Sequence, residues 1–223
     1  MKVIAVVLCS LEMLIHARAE EPASMSRPAR HHPVNLLVVR PSLLQEIPYA
    51  TTYNFTGKQL YPFPAVFVHQ DLAAPLRKIQ REFAREGLGL KIYDGYRPLS
   101  VQQKMWDLIR DERYVSNPSK NRGRHTRGTA VDVTLVDRLG HELKMPTAFD
   151  DFTEKAHRTS SQWTAEERAN SRKLEAVMSK HGFIPYPYEW WHFDFRNWEK
   201  YPPLDISFDQ LARGVQTTVV PVD

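Results

Sequence analysis

A chain of 223 residues is long enough to bury a core within a single domain. Its formal net charge of +4 comes from 30 basic and 26 acidic residues with no polybasic block, which takes nucleic acid off the list of expected partners. The one cysteine, Cys9, lies in an N-terminal segment expected to be removed, so disulfides, thiolate metal sites and cysteine nucleophiles are excluded together.

Residues 1–19 read as a secretory signal peptide: Lys2, an apolar run from Val3 to Ile15, and Ala17-Arg18-Ala19 as a small-x-small cleavage signal. The run is shorter than the roughly 20 apolar residues of a membrane span, so no stable membrane insertion is expected after cleavage. The implied destination is outside the cytoplasm, in the periplasm. Without Lys2, Arg18 and Glu12 the chain holds 28 basic and 25 acidic residues, a charge of +3. Residues 20–34 are Pro, Ser, Ala and charge without a period, the composition of a flexible leader, and His31-His32 within it reads as solvated. The domain proper is expected over 35–210, with a tail over 211–223.

Tyr49 to Gly57 is an aromatic and β-branched stretch that ends in a turn residue and contains the glycosylation-type tripeptide Asn54-Phe55-Thr56. Leu72, Leu76, Ile79 and Phe83 follow helical spacing, with Pro75 expected in the first turn and Gly87 as the stop. Leu88 to Tyr93 reads as a strand that delivers Asp94-Gly95-Tyr96-Arg97-Pro98 at its end. Ser100 is placed to cap a helix with Val101, Met105, Leu108 and Ile109 inward. Asn117 to Gly123 is loop by composition. From Thr129 the text alternates, Val131, Val133 and Leu135 on one face and Asp132 and Thr134 on the other, as in a strand. Arg138-Leu139-Gly140 is a turn, and Met145 to Phe152 is irregular and carries Asp150 and Asp151. Thr164 with Glu167 forms a capping box for a helix through Leu174, Val177 and Met178 that stops at Gly182. Beyond Trp198, Pro202-Pro203 and a mixed tail suggest a C-terminal arm. Strands and helices mix without a regular strand-helix-strand rhythm, which predicts an α+β domain with a mostly antiparallel central sheet flanked by helices.

Chemistry concentrates in two separated blocks. His125, Asp132 and His192 are two imidazoles and a carboxylate, the ligand types that hold a catalytic zinc while leaving a fourth position for water. Glu189, three residues before His192, adds a carboxylate able to act as a base, and together they make a kit for metal-assisted hydrolysis. His125 and Asp132 are seven apart, so on one unbroken strand they would face opposite ways; Thr126-Arg127-Gly128 is expected to break the register. Pro185 and Pro187 place Glu189 in a loop leading into a strand. His69, His141, His157 and His181 read as surface or helix-end residues, and Trp190 and Trp191 as core or cleft wall.

Four blocks in order, Tyr49 to Gly57, Asp94 to Pro98, His125 to Leu135 and Glu189 to His192, resemble the D-alanyl-D-alanine dipeptidases of the vancomycin-resistance type. These are zinc peptidases that share a fold with the D,D-carboxypeptidases and the amino-terminal signalling domain of hedgehog. The resemblance implies one zinc on His125, Asp132 and His192, Glu189 as base and then acid, and Arg97 steadying the transition state. It further implies Asp150, with Asp151 as its competitor, receiving the free ammonium of D-Ala-D-Ala, and Tyr49 near the substrate. Gly123 departs from the family, which usually has Ser two residues before the first His ligand; the change falls on the substrate side and not in the metal set. Two alternatives stand beside this reading: a D,D-carboxypeptidase trimming peptidoglycan stem peptides, and a zinc-holding binding module without catalysis.

Overall fold

The computed structural model describes residues 33–35 and 43–213. The expected signal peptide lies outside them, as does the expected leader up to His32. Pro33 and Val34, the last residues assigned to that leader, belong to strand β1 (Pro33–Asn35), which pairs antiparallel with β3 (Phe67–His69).

A second sheet organises the rest, in the order β2-β4-β5-β7-β6. Its strands are β2 (Leu44–Gln45), β4 (Gly89–Asp94), β5 (Ala130–Val136), β6 (Phe183–Pro185) and β7 (His192–Phe195). β2 runs parallel to β4 and every other pairing is antiparallel, so the α+β expectation holds. β5, at the centre, reads Ala-Val-Asp-Val-Thr-Leu-Val, and all seven residues are buried. Its β-branched side chains suit a strand covered on both faces.

Helix α1 (Gln70–Arg85) packs on β4, and α3 (Ala165–Lys180) packs on β5 and β6. Leu72, Leu76, Ile79 and Phe83 form the stripe that α1 buries, each 0 % exposed and contributing about 1.5–3 kcal/mol of hydrophobic stabilisation. Pro75 lies in the second turn, not the first, because the imidazole Nδ1 of His69 accepts the Asp71 N–H at 3.2 Å and starts the helix at Gln70. Thr164 and Glu167 form the predicted capping box, and Gly182 ends α3 at φ 89°.

Helix α2 (Leu99–Leu108) corrects two expectations. Ser100 is not its cap: Pro98 occupies that position, and the Ser100 N–H is held by Asp205 Oδ1 at 2.9 Å. Leu108 is exposed while Gln102 is buried, since the inward face is turned to bring the Gln102 amide to a buried arginine. The expected C-terminal arm is also more firmly built than a tail. Leu204, Ile206 and Phe208 are buried, Phe208 stacks on Tyr61 at 4.4 Å, and a short helix α4 (Phe208–Ala212) follows. His69, read only as a surface or helix-end residue, is the buried N-cap of α1, and Trp190 and Trp191 are core. Among the described residues no helix is long and apolar enough to cross a membrane.

Candidate metal centre and substrate cleft

The sheet itself assembles half of the site. Asp132 on β5 lies directly opposite His192 on β7 and opposite Asp94 on β4. Directly opposed residues project to the same face. The Asp94 pairing depends on a register shift between Ile92 and Asp94, a local irregularity of the kind that re-aims a side chain next to a site.

His125 reaches the same place from a single 3-10 turn, His125–Arg127, closed by Gly128 at φ 65°. This is the break that the odd spacing to Asp132 requires. Gly128 also lies close against β3: a Cβ there would sit 3.0 Å from the His69 nitrogen.

The three predicted ligands converge. His125 Nε2 and His192 Nδ1 are 3.1 Å apart, His125 Nε2 is 3.3 Å from Asp132 Oδ2, and His192 Nδ1 is 3.1 Å from Asp132 Oδ1. All are buried. Their other ring nitrogens are engaged outside the triad, His125 Nδ1 with the Gly95 carbonyl at 2.7 Å and His192 Nε2 with Asp194 Oδ1 at 2.8 Å. Those bonds hold the protons on the outer nitrogens and turn the inner lone pairs toward one point. A tetrahedral zinc with nitrogen and oxygen ligands at about 2.0–2.2 Å spaces its ligand atoms by about 3.3–3.6 Å, within a few tenths of an ångström of the separations here, so this donor set fits the ion. Electrostatics agree. Burial works against a charge on His192, but Asp194 and Asp132 overcome it and push the imidazole up to about 10, as expected of a pocket that calls for a cation. Burial likewise opposes ionisation of Asp132, yet His125 and His192 hold its carboxyl far below the usual range.

Glu189 lies in the loop before β7, as its prolines predicted, 5 % exposed, with Oε2 3.6 Å from His192 Nδ1. Burial raises its carboxyl well above the ordinary value; His192 opposes this and the negative charges of Asp132 and Asp150 add to it. Such a carboxyl readily takes up a proton and gives it away again.

Arg97 is 6 % exposed and fixed on three sides. Its Nε and Nη2 donate to Asp94 Oδ2 at 3.1 and 2.8 Å, and its Nη1 donates to Gln102 Oε1 at 2.9 Å. Nη2 is 3.9 Å from Asp132 Oδ2, and the guanidinium carbon lies 5.4 Å from the centre of the Tyr49 ring. Tyr49 donates to Asp150 Oδ2 at 2.7 Å. Asp150 holds a left-handed backbone at φ 59°, a conformation aspartate tolerates better than most residues. Its carboxyl is pushed up to about 8 by burial, with the Tyr49 hydroxyl opposing. One cleft is lined by Tyr49, Arg97, His125, Asp150, Glu189 and His192 together. Asp151 is turned to the Thr153 N–H at 3.1 Å, away from that lining.

Residues 29–203 match the peptidase M15 family model described as D-Ala-D-Ala dipeptidase. The chain belongs to this family. It is therefore an enzyme, a metallopeptidase of the dipeptidase kind. Among curated members it is similar to the D-alanyl-D-alanine dipeptidase of Escherichia coli K12, 35 % identical over 175 residues that cover 78 % of this chain and 90 % of the relative. The enzyme of the same description from Enterococcus faecium is 32 % identical over 181 residues, 72 % of this chain and 89 % of the relative. Among solved structures, VanYB in complex with D-alanine-D-alanine aligns at a TM-score of 0.40 and 15 % identity, over 67 % of this chain and 79 % of that one. LdcB, an LD-carboxypeptidase, aligns at a TM-score of 0.39 and 22 % identity, over 58 % and 59 %.

In this M15 chain three site residues escaped the sequence reading. Asp194 supports His192, and its signal was present in the alternation of β7, which puts residues two apart on one face. Asp94 was visible only as part of a motif; its carboxylate takes Arg97 on one oxygen and the Tyr61 hydroxyl on the other at 2.9 Å. Gln102 carried no signal at all. At the departure from the family pattern, Gly123 has φ 75°, and a Cβ built there would sit 3.3 Å from Ser116 Cβ, so Ser116 borders the space a side chain at 123 would fill.

Proposed function

We propose that the protein hydrolyses the free dipeptide D-Ala-D-Ala to two D-alanines, with one zinc per chain on His125, Asp132 and His192. The observation that carries this reading is the convergence of those three ligand atoms with Glu189 buried beside them. A zinc ion held there supplies Lewis acidity, which acidifies water toward neutral pKa and polarises a peptide carbonyl. Glu189 removes the proton of the attacking water and then delivers it to the departing amine nitrogen. Arg97, already rigid in its bonds to Asp94 and Gln102, presents positive charge to the oxygen that becomes negative in the transition state, a contribution typically of about 10²- to 10³-fold in rate.

Asp150 sets the preference for a free dipeptide. Its carboxylate, oriented by Tyr49, accepts the substrate ammonium. An acylated amine cannot make that pair and would leave the buried carboxylate with the Tyr49 hydroxyl and no counter-charge from the substrate, so longer peptides are rejected. The N-terminal apolar run and its Ala-x-Ala signal support export, with the cut after Ala19 and the periplasm as destination. Protein sequencing of the exported form tests that placement; a form that still starts at Met1 contradicts it.

The experiment that tests the activity compares zinc-loaded mature protein on D-Ala-D-Ala and on N-acetyl-D-Ala-D-Ala. Cleavage of the free dipeptide with little turnover of the acetylated one is expected. The reverse preference makes the protein a D,D-carboxypeptidase, and turnover of neither substrate leaves a zinc-holding binding module.

A further inference from the structure

We propose that Arg158 is a positioning residue, which clamps the loop between β6 and β7 and thereby holds Glu189 and His192 in their working arrangement. Arg158 lies between β5 and α3, far in sequence from both residues, and its side chain is 9 % exposed.

Its contacts fall on one short loop. Nε donates to the Tyr186 carbonyl at 2.8 Å, and Nη2 donates to the carbonyls of Trp190 at 2.9 Å and His192 at 3.1 Å. The Arg158 backbone N–H adds a bond to the Pro187 carbonyl at 3.0 Å. The loop is therefore gripped at residues 186, 187, 190 and 192, on both sides of Glu189. Only Nη1 looks outward, to Glu175 at 3.0 Å, and the guanidinium rests on the Phe193 ring at 4.5 Å.

The loop needs such a grip. Strand pairing between β6 and β7 ends at Pro185 opposite Phe193, and one further bond, Tyr186 N–H to the His192 carbonyl at 3.0 Å, closes the hairpin. Pro185 and Pro187 have no N–H to contribute. A carbonyl left unpaired is costly, and one guanidinium meets those of Tyr186 and Trp190 and adds a second bond to that of His192, because its N–H groups spread in a planar fork. A lysine ammonium, a point donor, cannot span the same positions. Burial pushes Arg158 down to about 10, which leaves it cationic at neutral pH.

The inference rests on Glu189 acting as the base, but two of its tests do not depend on the substrate. In the wild-type protein the amides of Tyr186 and of residue 158, bonded to the His192 and Pro187 carbonyls across the clamp, are expected to exchange with deuterium about as slowly as those of β7. Fast exchange there overturns the clamp without any variant. In Arg158→Lys those amides exchange about 10-fold faster or more while β5 and α3 keep their rates, and zinc affinity measured against a competing chelator falls by about 10- to 100-fold, the range typical of supporting residues around a metal. On D-Ala-D-Ala, kcat falls by a similar factor and KM by less than about threefold either way, because Asp150 and Tyr49 lie outside the gripped loop. Glu175→Gln removes only the outward partner and leaves loop exchange at the wild-type rate. A folded Arg158→Lys protein with wild-type loop exchange and zinc affinity contradicts the proposal. Absence of D-Ala-D-Ala turnover in the wild type would contradict the proposed substrate and leave the exchange and zinc results to decide on the clamp.

Discussion

Tyr49 donates its hydroxyl hydrogen to Asp150 Oδ2 across 2.7 Å, tying together two residues of the cleft lining that lie 101 positions apart. The bond fixes the direction of a carboxyl whose protonation the fold controls. Burial raises Asp150 to about 8, Tyr49 opposes this, and Asp132 and Asp94 reinforce it. A folded value above the ordinary carboxylate range means that the fold prefers the protonated acid. Its favourable contribution is complete below about pH 4 and is lost as pH rises toward 8. In chelator-treated protein, Asp150→Asn is therefore expected to gain stability over wild type as pH goes from 5 to 9, by on the order of 2–4 kcal/mol. Thermal unfolding of both proteins at the two pH values measures this; an advantage that does not grow with pH contradicts it.

The same substitution should cost activity most as pH approaches 8 and above, where the Asp150 carboxylate forms without penalty. An amide cannot pair with the substrate ammonium as a carboxylate does, and charge-assisted hydrogen bonds are worth about 1.5–3 kcal/mol. Asp150→Asn is expected to lower kcat/KM for D-Ala-D-Ala by roughly 10- to 100-fold, and to narrow the gap between the free and the acetylated dipeptide. Steady-state rates on the two substrates check both effects.

In the proposed mechanism Glu189 separates binding from chemistry. It is not one of the three ligands, so Glu189→Ala should keep zinc and lose about 10²- to 10⁴-fold in kcat, the span general-base catalysis covers. Metal content and turnover measured on one preparation decide it. Normal hydrolysis by that variant would remove Glu189 from the mechanism.

Asp194 acts through His192. Replacing it by Asn keeps the size and removes the charge that faces His192 Nε2 at 2.8 Å and Arg124 Nε at 3.3 Å. Zinc affinity is expected to fall by about 10- to 100-fold, with smaller losses of folding stability. Chelator competition measures the first and thermal unfolding the second.

Gly95 is required for space and not for backbone angle. A Cβ at that position would lie 2.5 Å from the Phe67 carbonyl oxygen and 2.9 Å from Val66 Cγ1, and the Gly95 carbonyl is the partner of His125 Nδ1. Gly95→Ala is expected to destabilise by about 1–3 kcal/mol, the usual cost of overpacking, and to weaken zinc binding through His125. Denaturant unfolding with and without zinc separates the two effects.

Much of this site was legible in the text because its chemistry resides in residue types. Two imidazoles, an aspartate and a glutamate are the residue types of which hydrolytic metal centres are made, and the alternation around Val131, Val133 and Leu135 placed Asp132 on a strand. What stayed hidden depends on long-range bonds to groups without a sequence signature. Arg158 grips backbone carbonyls, which every residue owns. Gln102 turned α2 by bonding Arg97, against the apolar pattern that placed Leu108 inside. The start of α1 was missed because histidine seldom serves as an N-cap, and Ser100 was chosen by propensity although Asp205 had already claimed its N–H.

Zinc titration of metal-stripped protein, followed by calorimetry and by D-alanine release in the same samples, addresses the metal-dependent mechanism most directly. Heat and activity should both saturate at one zinc per chain, and Asp132→Ala should abolish tight binding and turnover together. Full activity in stripped protein, or an Asp132→Ala variant that binds zinc and works as the wild type does, would contradict it.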